Sequence, residues 1–138
     1  MSCVVDASVL LALLLPDERE PAEAVVDMLV GGQAVVPPHC ATEVANGLLV
    51  AHRRGRITFE EMVAALADAA ALRIGADARE RFGLPAGTVD LALSHRLTIY
   101  DAAYLELALR SKLPLATFDA DLREAAVRED ISLFEKQS

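Results

Sequence analysis

Short runs of apolar, often β-branched residues alternate with helix-prone segments along the whole chain, and this alternation strongly limits the fold. Strand-like runs are predicted at 2–6, 34–36, 72–74, 115–118 and 131–134. Parallel strands need long crossover connections, which are usually helices. The pattern therefore predicts an α/β fold of parallel βα units, with helices on both faces of the sheet.

Helical segments fill the intervals between these runs. Helices are predicted at 7–15, 18–30, 42–54, 58–71, 88–96, 102–112 and 120–128. Thr58 and Glu61 have the spacing of a capping box, in which each side chain bonds to the other residue's backbone N–H. The 138 residues contain no repeat, low-complexity tract or linker, so we expect one domain spanning 1–138.

The charge of the chain limits its partners. The formal net charge is −8, which does not fit ordinary nucleic-acid binding through a basic patch but fits a basic partner or a cation site. Cys3 and Cys40 lack zinc-site spacing. Because the chain shows neither a secretory leader nor an apolar run near the ~20 residues of a membrane span, we expect a cytoplasmic protein without membrane contact.

Four acidic residues fall where a parallel sheet would bring them to one edge. Asp6 ends the first predicted strand and Asp119 follows 115–118. Asp101 starts the helix before that second strand, and Glu43 lies on the helix after 34–36. Since ligands of open parallel sheets bind beyond the carboxyl ends of the strands, we expect these acids to converge.

Each acid also has an ordinary structural explanation. The three aspartates could be helix N-caps, and Glu43 alone could be a solvated carboxylate. Convergence favours a site instead, because two carboxylates about 4 Å apart repel by about 4 kcal/mol at an effective dielectric of about 20. A bound cation relieves this repulsion, and oxygen ligands suit Mg²⁺ or Mn²⁺ over zinc. Such an ion could also neutralise a phosphate without a lysine patch.

Four segments, taken in order, resemble a known family. They are 4–10 (VVDASVL), 42–46 (TEVAN), 97–105 (LTIYDAAYL) and 115–122 (LATFDADL). As a set they resemble PIN-domain proteins, and specifically the VapC toxins of bacterial and archaeal toxin–antitoxin pairs. The similarity spans 4–122, nearly the whole chain.

This resemblance implies a PIN-like fold, a three-layer α/β/α sandwich with a mostly parallel sheet of about five strands. It implies an endoribonuclease that depends on Mg²⁺, for which Mn²⁺ can substitute. It also implies an RNA substrate, a cognate VapB-type antitoxin, a homodimer, and contact with operator DNA only through the antitoxin.

By the same resemblance, the catalytic acids are Asp6, Glu43, Asp101 and Asp119. The three aspartates would hold one or two metal ions, and Glu43 would orient or deprotonate the attacking water. Asp121 is either a further ligand through water or a first-turn aspartate favoured by the helix dipole.

Three polar residues match positions that support the acids. Ser8 and Thr117 match hydroxyls that orient a carboxylate or a metal-bound water, and local hydroxyl–backbone bonds explain them equally well. Asn46 shares a helix face with Glu43 and is alternatively a plain surface amide.

Candidate RNA-binding residues are the arginines Arg53, Arg54, Arg56 and Arg96. The first two are also explained as cations at a helix C-terminus. The histidines are interpreted as surface or loop residues, with the first near the rim of the sheet: His39, His52 and His95.

The net charge of −8 suits a basic antitoxin segment that places an Arg or Lys among the carboxylates. Apolar residues of the first two helices could form its groove or belong to the ordinary core: Leu11, Leu14, Val25 and Leu29.

Three other functions share parts of this pattern. A Mg²⁺-binding receiver-like signalling domain also has acids at the rim of a parallel sheet, but it normally has paired early acids and a well-placed late lysine. A phosphatase of the Asp-x-Asp type needs a second aspartate where this chain has Ser8. The last alternative is a non-catalytic scaffold with a PIN fold, against which the four acids argue.

Overall fold

Four strands and seven helices alternate through residues 2–16, 23–77 and 82–134, which the computed structural model describes. The strands are β1 (Ser2–Val5), β2 (Gln33–Val36), β3 (Ile74–Ala76) and β4 (Leu115–Ala116). The helices are α1 (Ala7–Leu14), α2 (Glu23–Gly31), α3 (Cys40–Arg53), α4 (Phe59–Ala71), α5 (Thr88–His95), α6 (Ile99–Ser111) and α7 (Ala120–Arg128). The predicted α/β class is confirmed.

The four strands form one parallel sheet in the order β3-β2-β1-β4. In this sheet Val4 is the central residue, paired with Val35 on one side and Leu115 on the other. The sheet grows from β1 toward β3 on one side and to β4 on the other. The direction of winding therefore reverses between β1 and β4, which is where open α/β sheets bind their ligands.

The fifth predicted strand, at 131–134, is present only as an isolated bridge. Leu133 pairs in parallel with Leu115, and backbone bonds run from Leu115 N to Ser132 O and from Phe134 N to Leu115 O. This segment extends the sheet beside β4 without forming a regular strand. The expected count of about five strands thus becomes four strands and one bridged edge segment.

Several element boundaries differ from the predictions because caps set them. Thr98 caps α6, so this helix begins at Ile99 and not at residue 102. The helix α4 ends at Ala71 with Leu72 as its C-cap, which moves β3 from the predicted 72–74 to Ile74–Ala76. The predicted capping box at its start is confirmed. For the helix predicted at 18–30, residues 18–22 lie outside the described residues.

The core is aliphatic and centred on β1, where Cys3, Val4 and Val5 are fully buried. Val25 and Leu29 of α2 are also buried, so they pack in the core and do not line an open groove. Leu11 and Leu14 are partly buried against the same core. No helix among the described residues is long and apolar enough to cross a membrane.

Candidate active site

Asp6 follows β1 directly and is almost fully buried, with 3% of its surface exposed. Its Oδ1 accepts hydrogen bonds from Ser8 Oγ at 2.6 Å and from the Val9 backbone N–H at 3.2 Å. Its Oδ2 accepts a hydrogen bond from Thr117 Oγ1. Burial raises the pKa of Asp6, these hydrogen bonds oppose the rise, and the charge of Asp119 adds to it.

The same two hydroxyls tie the ends of β1 and β4 together. Ser8 Oγ accepts from the Phe118 backbone N–H at 3.1 Å, and Thr117 Oγ1 accepts from the Asp119 backbone N–H at 3.0 Å. Each hydroxyl therefore donates to Asp6 and accepts from the segment after β4. This network fixes the position of a buried carboxylate at the reversal of the sheet.

Asp119 begins α7 and caps it, since its Oδ1 accepts from the Leu122 backbone N–H at 2.8 Å. Asp6 likewise caps α1 through Val9. The cap explanation of these two aspartates is therefore correct, and it does not compete with a role in a site. Asp121 is exposed in the first turn of α7.

Asp101 lies at the third position of α6, one turn further into the helix than expected. The pKa of Asp101 is raised to about 6, mainly by burial and then by the charges of Asp119, Asp6 and Glu43, against a hydrogen bond with Thr98 that lowers it. Every charged group that shifts this pKa is another carboxylate. The three other predicted acids thus act on Asp101 electrostatically.

Glu43 lies in the first turn of α3 and contacts two residues without a predicted role. Tyr104 Oη donates to Glu43 Oε1 at 2.7 Å. His39 Nε2 lies 3.1 Å from the same oxygen without making a hydrogen bond. Burial alone would raise the pKa of Glu43, but the contacts with His39 and Tyr104 outweigh it and lower the pKa.

The sequence interpretation of His39 as a surface or loop residue was incomplete. Its ring packs edge-on against Tyr100, at a centroid distance of 5.5 Å, and against Tyr104 at 5.3 Å. The available signal was the pair of tyrosines that flank Asp101 in the YDAAY segment. Residues three apart on a helix share a face, so at least Tyr104 could have been placed beside Asp101.

The remaining predicted site residues lie further out. Asn46 is exposed one turn after Glu43. Arg53 ends α3 ten residues after Glu43, which places it about 15 Å along the helix axis. Exposed residues Arg54 and Arg56 follow it.

Arg96 belongs to a different surface from the Arg53–Arg56 run. It is the left-handed C-cap of α5, and it lines a cleft between α5 and α7 that includes Asp121 and Arg128. Of the predicted RNA-binding arginines, Arg96 is therefore the one that shares a cleft with a predicted acid. His95, in the same cleft, bonds to Glu129 at 2.9 Å.

The predicted donor set consists of carboxylate oxygens, which suit a hard divalent cation. No group of three or more His, Cys, Asp or Glu side chains in the described residues is close enough to form a ready-made metal cage. The pKa values of Asp6 and Asp101 are nevertheless raised, in part by the charges of the other acids: Asp119 acts on Asp6, and Asp119, Asp6 and Glu43 act on Asp101. Buried carboxylates that repel each other fit a hard divalent ion bound partly through water, as Mg²⁺ usually is.

Comparisons with known proteins show the family of the chain. The family described as PIN domain matches residues 3–128. A curated relative, Ribonuclease VapC3 from Pyrobaculum aerophilum, is 36% identical over 132 residues, covering 90% of this chain and 94% of that protein.

Solved structures share the fold. PAE2754 from Pyrobaculum aerophilum superposes with a TM-score of 0.68 at 24% identity, covering 91% of this chain and 84% of that one. VapC20 from Mycobacterium tuberculosis, described as a sarcin-ricin loop cleaving toxin, superposes with a TM-score of 0.58 at 17% identity, covering 89% and 94%. At these identities the two structures bear on the fold alone.

Proposed function

The chain belongs to the PIN-domain family, and from that premise we propose that it is a VapC-type ribonuclease, the toxin of a toxin–antitoxin pair. The observation that carries the proposal is the coupling of the four acids at the reversal of the sheet. Burial and three carboxylate charges raise the pKa of Asp101 to about 6. A non-catalytic scaffold has no need to keep acids close enough to raise the pKa of one of them.

Asp6, Asp101 and Asp119 would hold the metal ion, with Asp121 as a further ligand through water. When bound, Mg²⁺ or Mn²⁺ polarises a phosphoryl oxygen and lowers the pKa of a water molecule. Ser8 and Thr117 hold the Asp6 carboxylate in one orientation, since both donate to it. Glu43 orients or deprotonates the attacking water, and in-line attack leaves a 5′ phosphate and a 3′ hydroxyl.

The substrate is RNA in single-stranded or looped form, because unstacked bases and ends are accessible there. Arg96 is the arginine best placed to hold it, since it shares a cleft with Asp121. Inhibition comes from a cognate VapB-type antitoxin, whose basic segment suits a chain with a net charge of −8. A homodimer, with operator DNA contacted only through the antitoxin, completes the proposed assembly.

Two alternatives lose support. The receiver-like and Asp-x-Asp phosphatase readings conflict with a PIN-domain match that spans residues 3–128. The non-catalytic scaffold differs from the proposal in one measurable property, the cleavage of RNA.

The deciding experiment measures cleavage of a mixed-sequence, single-stranded RNA with Mg²⁺, with EDTA, and with Mg²⁺ restored. Asp6→Asn and Asp101→Asn are assayed beside Asp68→Asn, a matched control at an exposed aspartate of α4. We expect cleavage by the wild type and the control, and loss of at least about 100-fold in both aspartate variants and in EDTA. Equal cleavage with EDTA, or in either aspartate variant, would remove the metal mechanism. No cleavage of any RNA, with growth unaffected by expression, would favour the scaffold.

A further inference from the structure

Ring contacts join the segment before α3 to the start of α6. His39 precedes α3 and packs edge-on against both Tyr100 and Tyr104 of α6. Glu43 lies one turn after His39 on α3, and Asp101 lies between the two tyrosines on α6. The aromatic contacts therefore connect the helix that carries Glu43 to the helix that carries Asp101.

Within this cluster, Tyr104 makes the hydrogen bond to an acid. It is 1% exposed, and its hydroxyl donates to Glu43 Oε1 at 2.7 Å. Burial, together with the nearby groups of Cys40 and Glu43, raises the pKa of Tyr104 above its ordinary value. The phenol therefore keeps its proton at physiological pH and remains a hydrogen-bond donor.

The bond leaves the two oxygens of Glu43 in different situations. Oε1 accepts from Tyr104 and lies 3.1 Å from His39 Nε2. The described residues give Oε2 no hydrogen bond, and the Glu43 side chain is 29% exposed. One oxygen is fixed to the protein while the other can bind a water molecule.

We propose that Tyr104 is a positioning residue, which holds Glu43 through Oε1 so that Oε2 faces the attacking water. This rests on the proposed function of Glu43. The His39 ring packs against the Tyr104 ring. A buried tyrosine always tends to find a partner for its hydroxyl. The choice of partner distinguishes a positioning role from simple pairing of a buried hydroxyl. Tyr104 bonds to the acid that is proposed to act on the water, and not to a backbone carbonyl.

The chain supplies a matched control, since Tyr100 and Tyr104 are its only tyrosines. Tyr100 is 59% exposed and, like Tyr104, contacts His39 through its ring, but its hydroxyl makes no bond to Glu43. Tyr104→Phe and Tyr100→Phe each remove one hydroxyl and keep the ring. Only the first removes a hydrogen bond to the Glu43 carboxylate.

Steady-state cleavage of single-stranded RNA with Mg²⁺ provides the first readout. We expect Tyr104→Phe to lower kcat about tenfold or more with KM unchanged, since a hydrogen bond to a charged group is lost. Tyr100→Phe keeps both parameters. In a Glu43→Gln background, Tyr104→Phe is expected to add little further loss, because the two residues act as one unit.

A second readout does not depend on cleavage. The side-chain carboxyl of Glu43 is titrated by ¹³C NMR in metal-free protein, where His39 on its own segment and Tyr104 and Asp101 on α6 act on it. We expect Tyr104→Phe to move the titration midpoint upward and Tyr100→Phe to leave it in place. Thermal unfolding of each variant confirms that the fold is retained.

The outcomes separate this inference from the proposed function. An unchanged kcat in Tyr104→Phe, or an equal loss with and without Glu43→Gln, overturns the positioning role. If the wild type cleaves no RNA, the proposed function fails. The positioning role falls with it, whereas the NMR titration still decides whether Tyr104 holds the carboxylate.

Discussion

Asp6 and Thr117 are 111 residues apart in the chain, yet the Thr117 hydroxyl donates to the Asp6 carboxylate across the ends of β1 and β4. The hydroxyl also accepts from the Asp119 backbone N–H. Thr117 is 3% exposed, so it links two acids inside the protein and not on its surface.

Thr117→Val is expected to impair stability and cleavage together. Valine fills the same space but leaves Asp6 Oδ2 without its buried donor, which costs about 1–3 kcal/mol of unfolding free energy. We expect RNA cleavage to fall about tenfold as the carboxylate loses its orientation. Urea unfolding and a cleavage assay measure both quantities. Thr117→Ser keeps the hydroxyl and serves as the control; if it fails as badly as the valine variant, packing of the methyl group is responsible instead.

Asp101→Asn is expected to stabilise the metal-free protein at neutral pH. The pKa of Asp101 is raised to about 6 from an ordinary value of 3.8, so its ionisation disfavours the folded state. The stability it contributes is fully present below the ordinary pKa and is lost as pH rises through about 6. The variant should therefore gain a few degrees in Tm over the wild type in EDTA at pH 7.5, and nothing near pH 3.5.

Addition of Mg²⁺ should reverse that ranking at pH 7.5. A ligand that binds only the folded state raises its Tm, and the wild type keeps the full set of carboxylates. A wild type that gains no more from Mg²⁺ than Asp101→Asn would argue against Asp101 as a ligand.

Two Arg–Glu pairs with the same i,i+4 spacing should differ in their contribution to stability. Arg110 pairs with Glu106, whose side chain is only 9% exposed, and also with Asp77. Arg110→Met leaves Glu106 buried without its partner, so we expect a loss of about 1–3 kcal/mol. Arg128→Met breaks a pair with Glu124 that is more than half exposed on both sides and should cost less than about 0.5 kcal/mol. Urea unfolding measures the free energy of unfolding of both variants. Equal losses in the two variants would contradict this ranking.

Arg96→Gln should weaken RNA binding more than Arg53→Gln does. Arg96 shares the cleft of Asp121, whereas Arg53 lies at the opposite end of α3 from Glu43. Fluorescence anisotropy with a labelled single-stranded RNA, in a Glu43→Gln background with Mg²⁺, measures Kd between 50 and 200 mM salt. We expect Arg96→Gln to reduce the slope of log Kd against log salt by about 1, which corresponds to one phosphate contact, and Arg96→Lys to restore the slope. An equal increase in Kd in the two Gln variants would indicate that RNA contacts both the cleft of Arg96 and the C-terminal end of α3.

Much of the fold follows from local patterns in the sequence. The apolar runs at β1, β2 and β4 locate the central strands, and Thr58 with Glu61 locates the start of α4. The edge of the sheet is less predictable, because the register of 131–134 depends on tertiary contacts with Leu115. Its apolar residues alone do not distinguish a strand from a bridged segment.

The site could be predicted in part. Asp6 and Asp119 follow strands that share one edge, so topology alone places them at the same rim. Tyr104 could not be assigned to Glu43 in this way, because their contact joins α6 to α3 across a separation of 61 residues. Such a contact depends on how two helices pack, which periodicity does not specify.

Asp6 and Asp119 each cap a helix and also lie at the rim of the sheet. These two roles affect which mutations allow cells to escape the toxin. Alanine removes the helix cap with the charge, so escape by that route also lowers the amount of folded protein. Asparagine caps a helix as well as aspartate does, and one base change converts an aspartate codon into an asparagine codon. An asparagine variant at either position should therefore accumulate as folded protein that lacks the carboxylate charge, and it is reached in a single genetic step.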